Sequence, residues 1–141
     1  MVMWGAPTIV AEKASKFITV LLVDDQPAFR QLARRLLERG ERFRVVGEAP
    51  SAEAALREAQ ALQPDLVLMD VFMSGMSGIE AAKLFRHTLP NITVVLVSAY
   101  DNLSELASEA GAAFMSKREF SAAALLSSLN GPASQDRPAA G

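Results

Sequence analysis

Five side chains of this sequence have the types and spacing to do chemistry together. Asp24 and Asp25 stand side by side in LLVDDQPAF, where an apolar run stops. Asp70 closes DLVLMD, Ser98 closes ITVVLVS, and Lys117 follows AAFMS. Two adjacent carboxylates repel by about 1 kcal/mol in water and by several times that near a protein surface. A chain that places them at a strand end is tolerating a turn or holding a cation. The three carboxylates bring −3 and Lys117 brings +1, so a divalent cation makes the set neutral. The chain has no cysteine and a single histidine, His87. A hard ion with oxygen ligands, several of them water, describes Mg2+ better than Zn2+. A carboxylate beside such an ion, with a lysine and a hydroxyl in reach, is equipped to accept a phosphoryl group. In such a site Asp70 would attack phosphorus, Lys117 beside a bound Mg2+ would neutralise the equatorial oxygens, and Ser98 would donate a hydrogen bond.

The elements that must position these groups are legible from periodicity. Five short apolar runs, FITVLLV (17–23), FRVVGEA (43–49), DLVLM (65–69), ITVVLV (92–97) and AAFMS (112–116), read as strands. Three of them are continuously apolar, as parallel strands covered on both faces should be. Between them the period turns helical. Phe29, Leu32, Ala33, Leu36 and Leu37 follow the i, i+3, i+4, i+7, i+8 template. Leu103, Leu106, Ala107 and Ala110 do the same, as do Ala122, Leu125, Leu126 and Leu129, while 51–62 and 79–89 fit more loosely. Pro27 suits a first helical turn, Ser51 an N-cap, and Gly40, Pro64 and Gly111 follow helix ends. The order (βα)5 predicts an α/β fold, a doubly wound five-stranded parallel sheet with the flavodoxin-like strand order 2-1-3-4-5. Strands 1 and 3 are then neighbours, and Asp24, Asp25 and Asp70 converge on one crevice at the strand carboxyl ends. Singly, each of these residues reads as a cap, a turn or a solvated group. At four ends of one sheet those readings need several coincidences.

Half of the 141 residues are apolar, enough for one domain with a core. Residues 17–130 hold the βα pattern, 1–16 form an N-terminal extension, and GPASQDRPAAG (131–141) reads as a flexible tail or linker. A net charge of −2 gives no basic field for nucleic acid. No Lys or Arg precedes the mildly apolar start, the wrong order for a secretory signal, and no run approaches the ~20 apolar residues of a membrane span. A cytoplasmic location is expected. Arg30, Arg34, Arg35, Arg39, Arg42 and Arg44 make a basic run around helix 1 that reads mainly as a solvated face, with Arg34 and Glu38 paired at i,i+4. His87, late in helix 3, reads as a surface helix-end cation.

VDD (23–25), LVLMDVFMSGMSGIEA (66–81), VLVSA (95–99) and GAAFMSK (111–117) occur in an order that resembles the receiver domain of two-component response regulators. The resemblance covers roughly residues 17–130. It implies that Asp70 is the phosphoacceptor, that Asp25 binds Mg2+ directly and Asp24 largely through water, and that the main-chain carbonyl of Phe72 completes the protein ligands. Ser98 and Phe114 then form the switch pair. The resemblance further implies phosphoryl donation by a histidine kinase or histidine phosphotransfer protein, with helix 1 as a docking surface. The face of helix 4, strand 5 and helix 5 would meet a second copy, an effector or an output domain. Such a chain is not an enzyme in its own right; it catalyses only its own phosphorylation and dephosphorylation.

Two positions depart from the family pattern. Ser74 stands where proline is usual, four residues after Asp70, and with Gly75 and Gly78 is expected to leave that loop more mobile. Arg118 replaces a frequent proline or acidic residue. Both keep open a non-phosphorylated pseudo-receiver that acts as a protein-binding module. A haloacid-dehalogenase-type phosphatase needs an acidic residue where Phe72 stands. A flavodoxin-like carrier needs a Ser/Thr- and Gly-rich loop in place of DDQPAF. Phe72 and Tyr100, two residues beyond Asp70 and Ser98, border the site and are bulky enough to shield an acyl phosphate.

Overall fold

The computed structural model describes residues 17–129. The extension expected over 1–16 and the tail expected over 131–141 lie outside the described residues. Strands β1 (Ile18–Val23), β2 (Phe43–Ala49), β3 (Leu66–Asp70), β4 (Thr93–Ser98) and β5 (Ala113–Ser116) form one parallel sheet in the order β2-β1-β3-β4-β5. Helices α1 (Pro27–Glu38), α2 (Ala52–Leu62), α3 (Gly78–Thr88), α4 (Ser104–Glu109) and α5 (122–129) follow the strands in turn. This is the fold that the alternating periods predict.

Local chemistry explains the boundaries. Pro27 opens α1, where its missing N–H costs nothing. Ser51 Oγ accepts from Ala54 N at 3.1 Å, and Ser77 with Glu80 forms a reciprocal capping box at the start of α3. Helix α2 stops at Gln63, whose φ of 50° lies in the left-handed region, and Pro64 follows. A one-turn 3-10 segment, Lys117–Glu119, separates β5 from α5.

The sheet divides the core into two layers. Leu21, Val23, Val67, Met69 and Leu96 face Ala55, Ala59, Ala82, Phe85 and Ala107 of α2, α3 and α4. Val20, Leu22, Leu66, Leu68, Val95 and Val97 face Ala33 and Leu37 of α1 and Leu125 of α5. Leu32 and Leu106, placed in the apolar stripes by the sequence, are 43% and 49% exposed. The buried line of α1 runs through Ala33 and Leu37, and Leu32 is turned off it by one residue step. Helix α4 is only six residues long, so its buried contribution narrows to Ala107.

One irregularity matters for the site. The β1–β2 register shifts between Val20/Val45 and Leu21/Gly47, which leaves Val46 as an extra residue. Phe43 and Val45 lie on the α1 side of the sheet, whereas Ala49 lies on the α2 side. Strict alternation would have put Ala49 with Phe43 and Val45. The bulge reverses the faces, so Glu48 turns toward α1. Gly47 then faces α2, where an added Cβ would lie 2.7 Å from Leu62 Cδ1.

Candidate phosphoacceptor site

Three carboxylates meet at the carboxyl end of the sheet. Asp24 and Asp25 lie just past β1, and Asp70 is the last residue of β3. One oxygen from each lies within 4.8 Å of the others. Asp24 is 1% exposed and Asp70 7%, whereas Asp25 faces solvent. Lys117 reaches in from beyond β5, its Nζ 2.7 Å from Asp24 Oδ2 and 3.6 Å from Asp70 Oδ2. Its ammonium also lies 4.5 Å from the Phe29 ring centroid, and that ring meets Phe120 edge-on at 5.7 Å. Lys117 is thus held by apolar packing on one side and two carboxylates on the other.

The electrostatics follow from burial. Burial, then the Asp24 charge, push the Asp70 carboxyl up to about 6, with Asp25 adding a smaller push. The Lys117 ammonium and the Phe72 N–H act in the opposite sense and do not cancel the rise. Asp24 Oδ1 accepts from Gln26 N at 2.9 Å. Asp24 Oδ2 is buried, and the Lys117 ammonium at 2.7 Å is its close polar neighbour. A buried carboxylate oxygen with spare capacity, beside two further carboxylates, fits a small hard divalent cation. All donors are oxygens, which favours Mg2+ over softer ions.

Ser98 ends β4 beside Ser116 in the sheet register and is 1% exposed; its Oγ accepts from Tyr100 N at 3.0 Å. Phe114 is half-buried on β5 and packs on the α2-side core, away from the carboxylates in the register. Phe72 and Tyr100 stand together on the rim, 54% and 67% exposed, with ring centroids 5.5 Å apart and planes at 85°. That is an edge-to-face pair. Arg118 pairs with exposed Asp101, joining the loop after β5 to the loop after β4.

The loop after β3 carries tethers that its Ser-Gly composition does not advertise. Ser74 N donates to Asp25 Oδ2 at 3.4 Å, a contact proline could not make, and Met76 N donates to Glu53 Oε2 at 3.3 Å. Gly75 adopts a φ of 81° under the Glu53 carboxylate. Sequence reasoning missed Glu53, Phe29 and Arg30. The basic run puts Arg30 on a solvated face, but its side chain is 18% exposed and its Nη1 donates to the Asp24 carbonyl at 2.5 Å. Its position six residues after Asp24, one turn into an amphipathic helix, was the available signal. Arg34 does pair with Glu38, at 3.5 Å, and more closely with Glu48, at 2.8 Å.

Comparison with known proteins shows the family and the fold. The family model of the response regulator receiver domain matches residues 20–130. The response regulator GacA of Pseudomonas syringae pv. syringae is 43% identical over 81 residues, which is 57% of this chain and 38% of that protein. A protein-glutamate methylesterase/protein-glutamine glutaminase of Hahella chejuensis is 41% identical over 81 residues, 57% of this chain and 23% of that protein. Among solved structures, the signal receiver domain of the putative response regulator NarL from Mycobacterium tuberculosis superposes with a TM-score of 0.76 at 33% identity. That match covers 82% of this chain and 98% of that one. The chain spans about two fifths or less of these curated relatives, one a regulator and the other an enzyme. Among the described residues no helix is long and apolar enough to cross a membrane. With the family model spanning residues 20–130, the chain belongs to the response regulator receiver domains of two-component systems.

Proposed function

We propose that this receiver takes a phosphoryl group onto Asp70 from the phosphohistidine of a histidine kinase or histidine phosphotransfer protein, in a Mg2+-dependent reaction. The carrying observation is the crevice itself: Asp24, Asp25 and Asp70 within reach of one ion, with Lys117 between Asp24 and Asp70. Asp25, Asp70 and the Phe72 carbonyl would hold Mg2+ directly and Asp24 largely through water. When bound, the ion offsets charge on the phosphoryl oxygens. An Asp70 oxygen attacks phosphorus as the P–N bond breaks, and the electron pair leaves with the imidazole nitrogen. Lys117 is placed to stabilise the same oxygens, and Ser98, whose Oγ accepts from Tyr100 N, can turn its own O–H to donate to the phosphoryl group. Phe114 would then repack behind Ser98. The face of α4, β5 and α5, where Leu106 is exposed, would present the change to an effector, a second copy or an output domain. The proposed receiver unit is 17–130, with 1–16 as an extension and 131–141 as a linker or tail. Its donor's chemistry fits a cytoplasmic setting and calls for no nucleic-acid contact.

Intact mass after incubation with acetyl phosphate and Mg2+ tests this. One base-labile phosphoryl group is expected on the parent chain and none on Asp70→Asn. No added mass with excess donor, together with no uptake of Mg2+ and beryllofluoride, would leave the pseudo-receiver as the reading. The Phe72–Tyr100 pair leads to a second expectation. If the rings keep water from the acyl phosphate, Phe72→Ser or Tyr100→Ser raises the dephosphorylation rate roughly fivefold, the effect of about 1 kcal/mol in a barrier. An unchanged decay rate in both variants would sink the shielding role.

A further inference from the structure

The main chain of Asp24 is gripped on both sides. Its N–H donates to Ala49 O at 3.1 Å, and its carbonyl accepts from Arg30 Nη1. Arg30 in turn is anchored: its Nε donates to Glu48 Oε1 at 2.9 Å, while Arg34 Nε donates to Glu48 Oε2 at 2.8 Å. Glu48 is therefore a two-armed acceptor between two turns of α1. Burial alone would raise its carboxyl, but the guanidiniums of Arg34 and Arg30 outweigh burial and hold it below its ordinary value. The brace exists only because the extra residue Val46 turns Glu48 to the α1 side of the sheet. It runs from the edge strand, through the first turns of α1, to the residue that opens the acidic loop.

We propose that Arg30 is a positioning residue: anchored by Glu48, it holds the Asp24 carbonyl and so sets how Asp24 and Asp25 face Asp70 and a divalent cation. This rests on the Mg2+-binding reading of the same crevice. Two effects of Arg30 on a cation oppose each other, and their signs separate them. As a nearby positive charge it repels the ion, so its loss would tighten binding. As the clamp on the loop it orders the ligands, so its loss would weaken binding. Groups that orient metal ligands change affinity by about 10–100-fold when removed, and the Glu48 carboxylate already offsets much of the guanidinium's field. Positioning is expected to win.

The test compares the full chain with Arg30→Met and Arg30→Lys by Mg2+ titration calorimetry and by amide exchange in metal-free buffer. Arg30→Met is expected to weaken Mg2+ binding about tenfold. It should also speed exchange at Gln26, whose N–H is held by Asp24 Oδ1, while β4 amides stay as protected as before. Arg30→Lys should fall between, because one ammonium cannot reproduce the fork that reaches both Glu48 and the carbonyl. Unchanged or tighter Mg2+ binding in Arg30→Met overturns the proposal, even if exchange is faster. If Arg30→Met does not unfold cooperatively, Glu48→Gln is read in its place. Losing only the anchor's charge, it should weaken Mg2+ binding roughly threefold, and no change overturns the proposal. A parent chain that takes up no Mg2+ fails the functional reading itself, and that failure appears before any variant is compared.

Discussion

In metal-free buffer at pH 7.5, Asp70→Asn is expected to unfold about 5–15 °C above the parent chain. The native Asp70 carboxyl titrates at about 6 against an ordinary value of 3.8, chiefly through burial and then through the Asp24 charge. Between those values the folded chain holds more protons than the unfolded chain, so stability falls as pH rises through the window and then levels off. Above pH 6 the ionised Asp70 costs the fold on the order of 3 kcal/mol. Asparagine keeps the shape and removes the charge. The gain should shrink steadily as pH falls from about 6 and nearly vanish near pH 4. Mg2+ should reverse the ranking at pH 7.5, because it binds the native parent and stabilises it by mass action, while the variant lacks the third carboxylate. Thermal melts at the two pH values, with chelator and with Mg2+, measure all of this. Equal melting of parent and variant at pH 7.5 without metal would show that Asp70 carries no such cost.

Asp70 and Ser98 close β3 and β4 where the sequence puts the strand ends, because a parallel strand buried on both faces announces its own end at the sheet edge. The strand order followed from the (βα)5 alternation, and with it the meeting of Asp24, Asp25 and Asp70. Arg30 and Glu48 were unreadable for a definite reason. Alternation from Phe43 and Val45 sends Glu48 to the α2 side, and only the Val46 bulge, which leaves no mark in hydropathy, sends it to Arg30. Leu32 and Leu106 failed differently. A helical template accepts every apolar residue within its stripe, but the sheet covers a narrower strip of a short helix. Ser74 shows a third limit: its composition speaks for a loose loop, while its N–H contact with Asp25 depends on a partner 49 residues away.

Gly78→Ala is expected to damage stability and chemistry together. Gly78 opens α3, and its N–H donates to Val71 O at 2.8 Å, which draws the helix start against the end of β3. A Cβ there would lie 2.3 Å from the Asp70 carbonyl oxygen and 3.0 Å from Val71 Cα. Both are main-chain atoms and no rotamer relieves the clash. Either α3 tilts away and the Gly78–Val71 bond stretches, or the end of β3 shifts and takes the Asp70 carboxylate with it. Overpacking of this kind costs about 1–3 kcal/mol, more where backbone must move, so a loss of about 2–4 kcal/mol in denaturant melts is expected. Gly40→Ala is the control, since an added methyl there meets nothing within 4 Å, and its effect should stay within about 0.5 kcal/mol. Phosphorylation by acetyl phosphate separates the two routes of relief. A slowed reaction at temperatures where Gly78→Ala is fully folded means that β3 has yielded and Asp70 has moved from Lys117. An unslowed reaction with the same loss of stability means that α3 has yielded, and that the hydrogen-bonded ladder to β4 holds Asp70 more firmly than the helix start does. Matching stability in the two glycine variants would show that the close approach at Gly78 does not govern this end of the sheet.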